Sequence, residues 1–307
     1  MMPNTFIAGA QKSGTSTLCD ALASHPHVLV SSPKEPIFFS KAANLARPQL
    51  YEACFRADTG IMPRTIIDGS NAYMVDPLAP VRIRDLLGKE LQFIFSLREP
   101  VQRMVSGYWH QAKKGREHRS LKEALSFEGD SPEACVEEEE ERLEHAVRRD
   151  LIKVTGYAYR HDDPLWHFRY FRNSLYSADL ARYHAIFGAK RVTVLFFEDL
   201  ISDPMATLDS VATFLQLDPA GFPVERDWHG NPTQLPRMSW LFEALRRLPG
   251  AHFLRRVPGY APVSQRIVYR RPPSTDPELI ERLRDLFAPE VVRLQAMVDR
   301  DLLEIWD

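Results

Sequence analysis

The chain has 307 residues, 44% of them hydrophobic, which is enough to bury a full core and excludes disorder as the starting assumption. Its 39 Lys and Arg nearly balance 41 Asp and Glu, for a formal net charge of −2, so there is no global basic field of the kind that nucleic acid or an acidic membrane requires, and any anion site must be local. Cys19, Cys54 and Cys135 are odd in number and widely spaced, which fits neither a disulfide framework nor a zinc cluster and points to a reducing compartment.

The chain runs almost directly into the apolar stretch Phe6-Ile7-Ala8, without a basic leader or cleavage site, and no run approaches the ~20 apolar residues of a membrane span. The expectation is a soluble, cytoplasmic protein with no membrane or nucleic-acid partner. A β-rich run at Thr5 to Ala8 is followed by a loop and a helix over Thr15 to Ser24. His25 and His27 flank Pro26 at the helix exit and read as capping or surface residues, since no metal-ligand spacing accompanies them. Further strands are predicted at Thr65 to Asp68 and Leu91 to Leu97, and Pro100 sits where an N1 proline opens a helix over Val101 to Lys114.

Gly129 to Lys153 interrupts the pattern as a charged helical insertion. Glu138/Arg142 and Glu144/Arg148 are spaced to pair at i,i+4, and the run reads as a solvated face rather than a substrate lid. Val192 to Phe197 is the next strand, after which Glu198 and Asp199 begin a helix, with Asp203-Pro204 as another cap. Asp227 to Pro273, rich in Pro, Arg and aromatics, is too short for its own core and is expected to form an irregular cap over a site. Asp276 caps a helix through Phe287, and Pro289 opens a last one toward Leu303. This alternation predicts one α/β domain over 1–307, a P-loop-like three-layer fold with a central parallel sheet flanked by helices.

The sharpest local signal is Gly9-Ala10-Gln11-Lys12-Ser13-Gly14-Thr15-Ser16, set between a strand and a helix. Its two-glycine spacing is that of a P-loop, whose backbone N–H groups and helix N-terminus suit a phosphate. An ATP loop puts lysine directly after the second glycine, whereas here that position is Thr15 and the lysine is Lys12. The ammonium then lies beside the bridge of a shorter, two-group anhydride, with Thr15, Ser16 and Thr17 adding hydroxyls. Read alone, the same loop is also compatible with a glycine turn carrying surface polar residues. The strand Leu91 to Leu97 ends in Arg98, where a Mg²⁺-dependent NTPase would need an acid. Arg98 and Ser106, two helical turns along, are spaced to meet on one phosphate, although an ordinary Arg98/Glu99 pair at a strand-helix junction fits the same residues.

These residues together resemble the sulfotransferases that use 3′-phosphoadenosine 5′-phosphosulfate (PAPS), above all the heparan-sulfate-sulfotransferase-like branch with its bacterial relatives. Gln11 to Leu18 is similar to the family's 5′-phosphosulfate loop, Leu97 to Tyr108 to its 3′-phosphate motif, and Ser32-Pro33-Lys34-Glu35-Pro36-Ile37-Phe38-Phe39 to the segment carrying its general base. The resemblance implies that Lys12 stabilises the leaving 5′-phosphate within a cradle of Gln11, Ser13, Gly14, Thr15, Ser16 and Thr17. It also implies that Glu35 removes the acceptor proton, that Arg98 and Ser106 hold the 3′-phosphate, and that Arg270 belongs to a basic loop closing on the nucleotide. Ser70, Tyr73 and His110 are candidate acceptor contacts.

The implied reaction is transfer of the sulfuryl group to a hydroxyl, with an amine as the secondary candidate, on a small molecule or saccharide, without a metal. Two departures stand out, Ile37 where the branch often has histidine and Gly69 where it often has lysine or another polar group. A P-loop nucleotide kinase or NTPase and a non-catalytic nucleotide-binding module remain the alternatives. Without the resemblance, Glu35 reads as the partner of a surface ion pair with Lys34.

Overall fold

The computed structural model describes residues 1–56, 62–154, 161–223, 235–236, 269–270 and 272–306. Five parallel strands, β1 (Thr5–Gly9), β2 (Val28–Val30), β3 (Thr65–Asp68), β4 (Gln92–Leu97) and β5 (Val192–Phe196), form a sheet in the order β2-β3-β1-β4-β5. β1 is buried at all its positions because it is central and covered on both faces, which is why it reads as an unbroken apolar run. β2, absent from the sequence reading, is three half-buried residues at the sheet edge, too short to show a period. A separate antiparallel pair, β6 (Leu235–Pro236) with β7 (Tyr269–Arg270), completes the strands among the described residues, and β6 lies against the helix after β4.

The helices are α1 (Thr15–Leu22), α2 (Pro48–Glu52), α3 (Ala79–Leu87), α4 (Pro100–Lys113), α5 (Leu121–Leu125), α6 (Pro132–Arg148), α7 (Ser177–Phe187), α8 (Phe197–Ser202), α9 (Pro204–Leu215), α10 (Pro277–Gln295) and α11 (Leu302–Trp306). Side-chain alternation along the strands sorts them into layers. On one face Ile7, Ile67, Ile94 and Leu195 pack with Leu18 and Leu22 of α1 and with Leu208 and Val211 of α9. On the other, Phe6, Phe93, Phe95 and Phe196 pack with Ile83 of α3, Leu180 and Tyr183 of α7, and Trp306 of α11. The sheet is thus sandwiched between helices, as the alternating pattern predicts. A further cluster joins Val101 and Met104 of α4, Leu125 of α5, Leu143 of α6 and Phe287 of α10.

The caps fall where the sequence places them. Asp203 accepts from Ala206 N at 3.0 Å and Asp276 from Glu278 N at 3.1 Å, each followed by a proline inside the first turn. Three expectations are corrected. The helix from Asp276 does not stop before Pro289 but runs through it. Burial of Leu286, Phe287, Glu290 and Leu294 on either side, with the Glu290 carboxylate taking Ser177 N at 2.6 Å and Ser177 Oγ at 2.8 Å, outweighs the one backbone bond that proline removes.

The charged segment forms α6 with both expected ion pairs, Glu138–Arg142 and Glu144–Arg148, and with Glu137 and Glu141 exposed. Glu139, however, is buried and accepts from Phe171 N at 2.7 Å and Arg172 N at 2.9 Å, so one acid of the run is part of the packing. His25 is not a surface residue. It is buried against Phe222, bonds through Nε2 to the Asp218 carbonyl at 3.1 Å, and accepts His27 N at 3.2 Å through Nδ1. The expected irregular cap, 227–273, lies outside the described residues apart from β6, β7 and residues 272–273.

Candidate functional site

β1, β3, β4 and β5 all point their carboxyl ends to one edge of the sheet, the edge where open α/β sheets bind ligands. The phosphate loop follows β1 there. Ala10 N donates to Ser96 O at 2.7 Å, and Ser96 Oγ donates to Ser13 O at 2.5 Å, so the neighbouring strand holds both sides of the loop. Gly14 ends it with φ of +80° as the N-cap of α1, and a Cβ there would stand 2.8 Å from Leu200 Cδ2 and 2.9 Å from Phe197 Cδ2. Both its backbone and its space therefore require glycine. No side chain caps α1, which leaves the helix N-terminus to an anion. Ser13 and Thr15 are buried, Thr17 is half-buried, and Ser16 is exposed in the first turn.

Lys12 is mostly enclosed. Burial, and then the positive charges of Arg98, Lys113 and Arg103, hold its ammonium down to about 8. Arg98 leaves the end of β4 with its guanidinium 4.6 Å over the Phe197 ring, and its carbonyl accepts from Tyr176 Oη at 2.9 Å. The alternative Arg98/Glu99 pair gives way to a cap: Glu99 accepts from Val101 N at 3.1 Å and Gln102 N at 2.6 Å, opening α4. Ser106 is buried two turns along α4. Arg103, on the same helix, is fully buried and donates to Ser174 Oγ at 2.6 Å, a scaffold role.

Glu35 follows β2. Its Oε1 receives Lys34 Nζ at 2.9 Å and Asn71 Nδ2 at 2.9 Å, and Lys34 Nζ also donates to Ser16 Oγ at 3.1 Å. The ion pair expected as the plain alternative is thus present, and it reaches into the phosphate loop. Ser70 and Tyr73, named as acceptor contacts, are fully buried instead. Ser70 Oγ donates to Asp68 Oδ1 at 2.6 Å and Tyr73 Oη to Asp68 Oδ2 at 3.0 Å, while Ser70 Oγ accepts Ile37 N at 2.9 Å. They brace the segment that follows Glu35 from beneath. Burial lifts the Asp68 carboxyl to about 6 despite those donors.

His110 is half-buried, and burial together with Lys12, Lys114, Lys113 and Arg116 pushes its imidazole down to about 2, which favours the neutral form. The cations at and just after the end of α4, Lys113, Lys114 and Arg116, and His167, which takes Gln11 Nε2–H at Nδ1 over 2.6 Å and stacks on Trp166, were missed by sequence reasoning. The run Lys113-Lys114-Gly115-Arg116 was the available signal for the first three; His167 had none. For Arg270, the structure gives its place in β7, paired with Leu235, and its side chain lies outside the description.

The strand-end acids are engaged elsewhere. Glu198 accepts from Glu99 N at 3.1 Å and Trp306 Nε1 at 3.3 Å, and Asp199 accepts from Arg300 at 3.1 Å. No described helix is long and apolar enough to cross a membrane. Fold and site together define a phosphate-loop α/β protein whose loop lysine and strand-end arginine replace the acid and lysine placement of an NTPase.

Residues 2–229 match the sulfotransferase domain family, and the chain belongs to that family. Heparan sulfate glucosamine 3-O-sulfotransferase 3B1 of Homo sapiens is 24% identical over 308 residues, covering 98% of this chain and 64% of the relative. Heparan sulfate glucosamine 3-O-sulfotransferase 5 of Mus musculus is 24% identical over 94% of this chain and 70% of its own length. The chain thus spans just under two thirds of the first of these relatives. Among solved structures, a sulfotransferase from Alicyclobacillus acidocaldarius superposes with a TM-score of 0.66 at 25% identity over 100% of both chains. The family match does not favour the nucleotide-kinase alternative.

Proposed function

We propose that the protein transfers the sulfuryl group of PAPS to a hydroxyl on a small molecule or saccharide, an amine being the secondary candidate. The observation that carries this is the position of Lys12, enclosed among cations in a loop that ends at an uncapped helix N-terminus. Such a lysine is stabilised when an anion arrives and most when a bridging oxygen gains charge. The saccharide class is suggested by the relatives, which are 3-O-sulfotransferases of heparan sulfate glucosamine.

In the reaction, the acceptor oxygen forms a bond to sulfur while the bond from sulfur to the bridging oxygen of the 5′-phosphate breaks. The electron pair leaves on that oxygen, which Lys12 neutralises, and the acceptor proton passes to the Glu35 carboxylate. The displacement is in line and loose, so positioning and charge stabilisation carry most of the acceleration. The sulfuryl group bears less charge than a phosphoryl group, so this scheme assigns no step to a metal. Arg98 and Ser106 would hold the 3′-phosphate, Gln11 to Thr17 the phosphosulfate, and His110 a neutral position facing the acceptor.

The test is calorimetric titration with adenosine 3′,5′-bisphosphate (PAP) in the absence of metal, on wild type and Arg98→Ala. Charged hydrogen bonds contribute roughly 1.5–3 kcal/mol each, so losing those to the 3′-phosphate weakens PAP about a hundredfold. Adenosine 5′-phosphosulfate, which lacks that phosphate, should bind wild type and variant alike. An Arg98→Ala protein with the wild-type preference for 3′-phosphorylated ligands would place the 3′-phosphate elsewhere, and a wild type that does not bind PAP would end the proposal.

A further inference from the structure

Lys34 makes more of its position than its neighbour requires. Its ammonium bridges two segments, reaching Ser16 Oγ in the phosphate loop at 3.1 Å and Glu35 Oε1 at 2.9 Å. Its backbone is pinned as well, since the Lys34 carbonyl accepts from Ser31 Oγ at 2.7 Å and from Gly69 N at 3.2 Å. A Cβ on Gly69 would stand 2.9 Å from Cys19 Sγ, 3.0 Å from Lys34 O and 3.1 Å from Lys34 Cε. The backbone of Gly69 is not in the left-handed region, so the glycine is there for space, which Cys19 Sγ, the Lys34 carbonyl and the lysine stem fill together.

The pair is a quarter to a third exposed, and at that exposure an ion pair adds little stability. What the arrangement does supply is geometry. Lys34 and Asn71 both donate to Glu35 Oε1, one from the preceding residue and one from the turn that follows β3, which holds that carboxylate oxygen in place relative to the loop. Burial works against the charge of Lys34, but Glu35 offsets it and holds the ammonium above its ordinary value. The charged and titratable groups facing this pair are Lys114 after α4, and Cys19 and Asp20 of α1.

We propose that Lys34 is a positioning residue for the transfer, tying the Glu35 carboxylate to the phosphate loop through Ser16, and that residue 69 is glycine to admit its side chain. This rests on the reading of Glu35 as the base. Lys34 touches neither reacting atom in this scheme and acts through Glu35.

The experiment follows PAP formed from PAPS, with 4-nitrophenol or with water alone as acceptor, in wild type, Lys34→Met, Lys34→Arg, Gly69→Ala and the Lys34→Met/Gly69→Ala double variant. PAP affinity and melting temperature are measured on each. Lys34→Met should lower kcat by about tenfold or more, the scale of a misplaced catalytic group, while PAP affinity changes less than about threefold. Lys34→Arg should recover part of the rate. Gly69→Ala, which crowds Lys34 and Cys19 without removing the lysine charge, should also lower kcat, and its effect should be smaller in the Lys34→Met background than in wild type. Unchanged kcat in Lys34→Met overturns the proposal, as does a loss confined to melting temperature and PAP affinity. A wild type that binds PAP but forms none from PAPS overturns the reading of Glu35 itself, and this inference with it.

Discussion

Lys12 is where burial and like charge make a single ammonium sensitive to what binds beside it. Lys12 and Lys114 are each held down to about 8, burial being the largest cause in both. An anionic ligand restores the preference for the charged form, so binding PAP above pH 8 should take up protons and weaken as pH climbs further, whereas at pH 7 the uptake should be small. Calorimetry in buffers of different ionisation enthalpy reads this directly; equal proton uptake at pH 7 and pH 9 would contradict it. Lys12→Ala should lower turnover by about 10²–10³ and weaken PAP far less, because its charge is needed most when the leaving oxygen becomes anionic. Equal losses in both would remove its transition-state role. Lys12 and Arg98 were legible because each sits in a local motif with fixed spacing. Gln11 and His167 meet across 156 residues, and Lys34 reaches Ser16 over 18, distances that no local pattern encodes. Ser70 and Tyr73 misled for a related reason: a polar side chain at a strand end looks the same in sequence whether it faces a ligand or the buried Asp68.

At the scale of elements, the strands and their following helices were legible because hydrophobic runs, N1 prolines and Asp caps are local signals. β2 and the passage of α10 through Pro289 were not, since the first is fixed by edge pairing with β3 and the second by burial on both sides of the proline. α6 shows the same division. Its surface pairs follow from i,i+4 spacing, but nothing local marks Glu139 as the acid that turns inward to accept Phe171 N and Arg172 N. Glu139→Ala leaves both donors unsatisfied and should destabilise the fold by about 2–4 kcal/mol in urea titration. Burial raises the Glu139 carboxyl from 4.5 to about 7, so between those values the folded state keeps a proton that the unfolded chain has released. The advantage of wild type over the variant should therefore shrink as pH rises through that window, and a gap that widens would show the carboxylate is better accommodated than its burial indicates. Gly14→Ala, at the start of α1, meets both a left-handed backbone and the Leu200 and Phe197 side chains. It should cost about 1–2 kcal/mol from the backbone alone and abolish measurable PAP binding, because the loop cannot close on the helix end without moving.

Across the whole molecule, the deepest aromatic packing and the proposed ligand site lie at different ends of the same sheet. The aromatic layer is deepest around Phe93, near the start of β4, where it stacks on Phe6 at 5.1 Å and meets Tyr183 at 5.0 Å and Phe187 at 4.4 Å. Arg98 stands just past the other end of that strand, beside the loop. The two residues share a strand and should have opposite signatures. Phe93→Ala should lose about 3–5 kcal/mol of stability, the range for emptying a buried aromatic position. Its PAP affinity should stay within about twofold of wild type, since contacts at the carboxyl edge are untouched. Arg98→Ala should melt close to wild type yet bind PAP weakly. Ligand linkage makes the contrast measurable in one experiment: PAP at a hundred times its wild-type Kd should add about 2.7 kcal/mol to wild type and to Phe93→Ala alike, and little to Arg98→Ala. Thermal melts of the three proteins with and without PAP give all six values. A Phe93→Ala protein that has lost the PAP increment would mean that the core and the site are coupled through the strand, and that the carboxyl edge is not an independent platform for the loop.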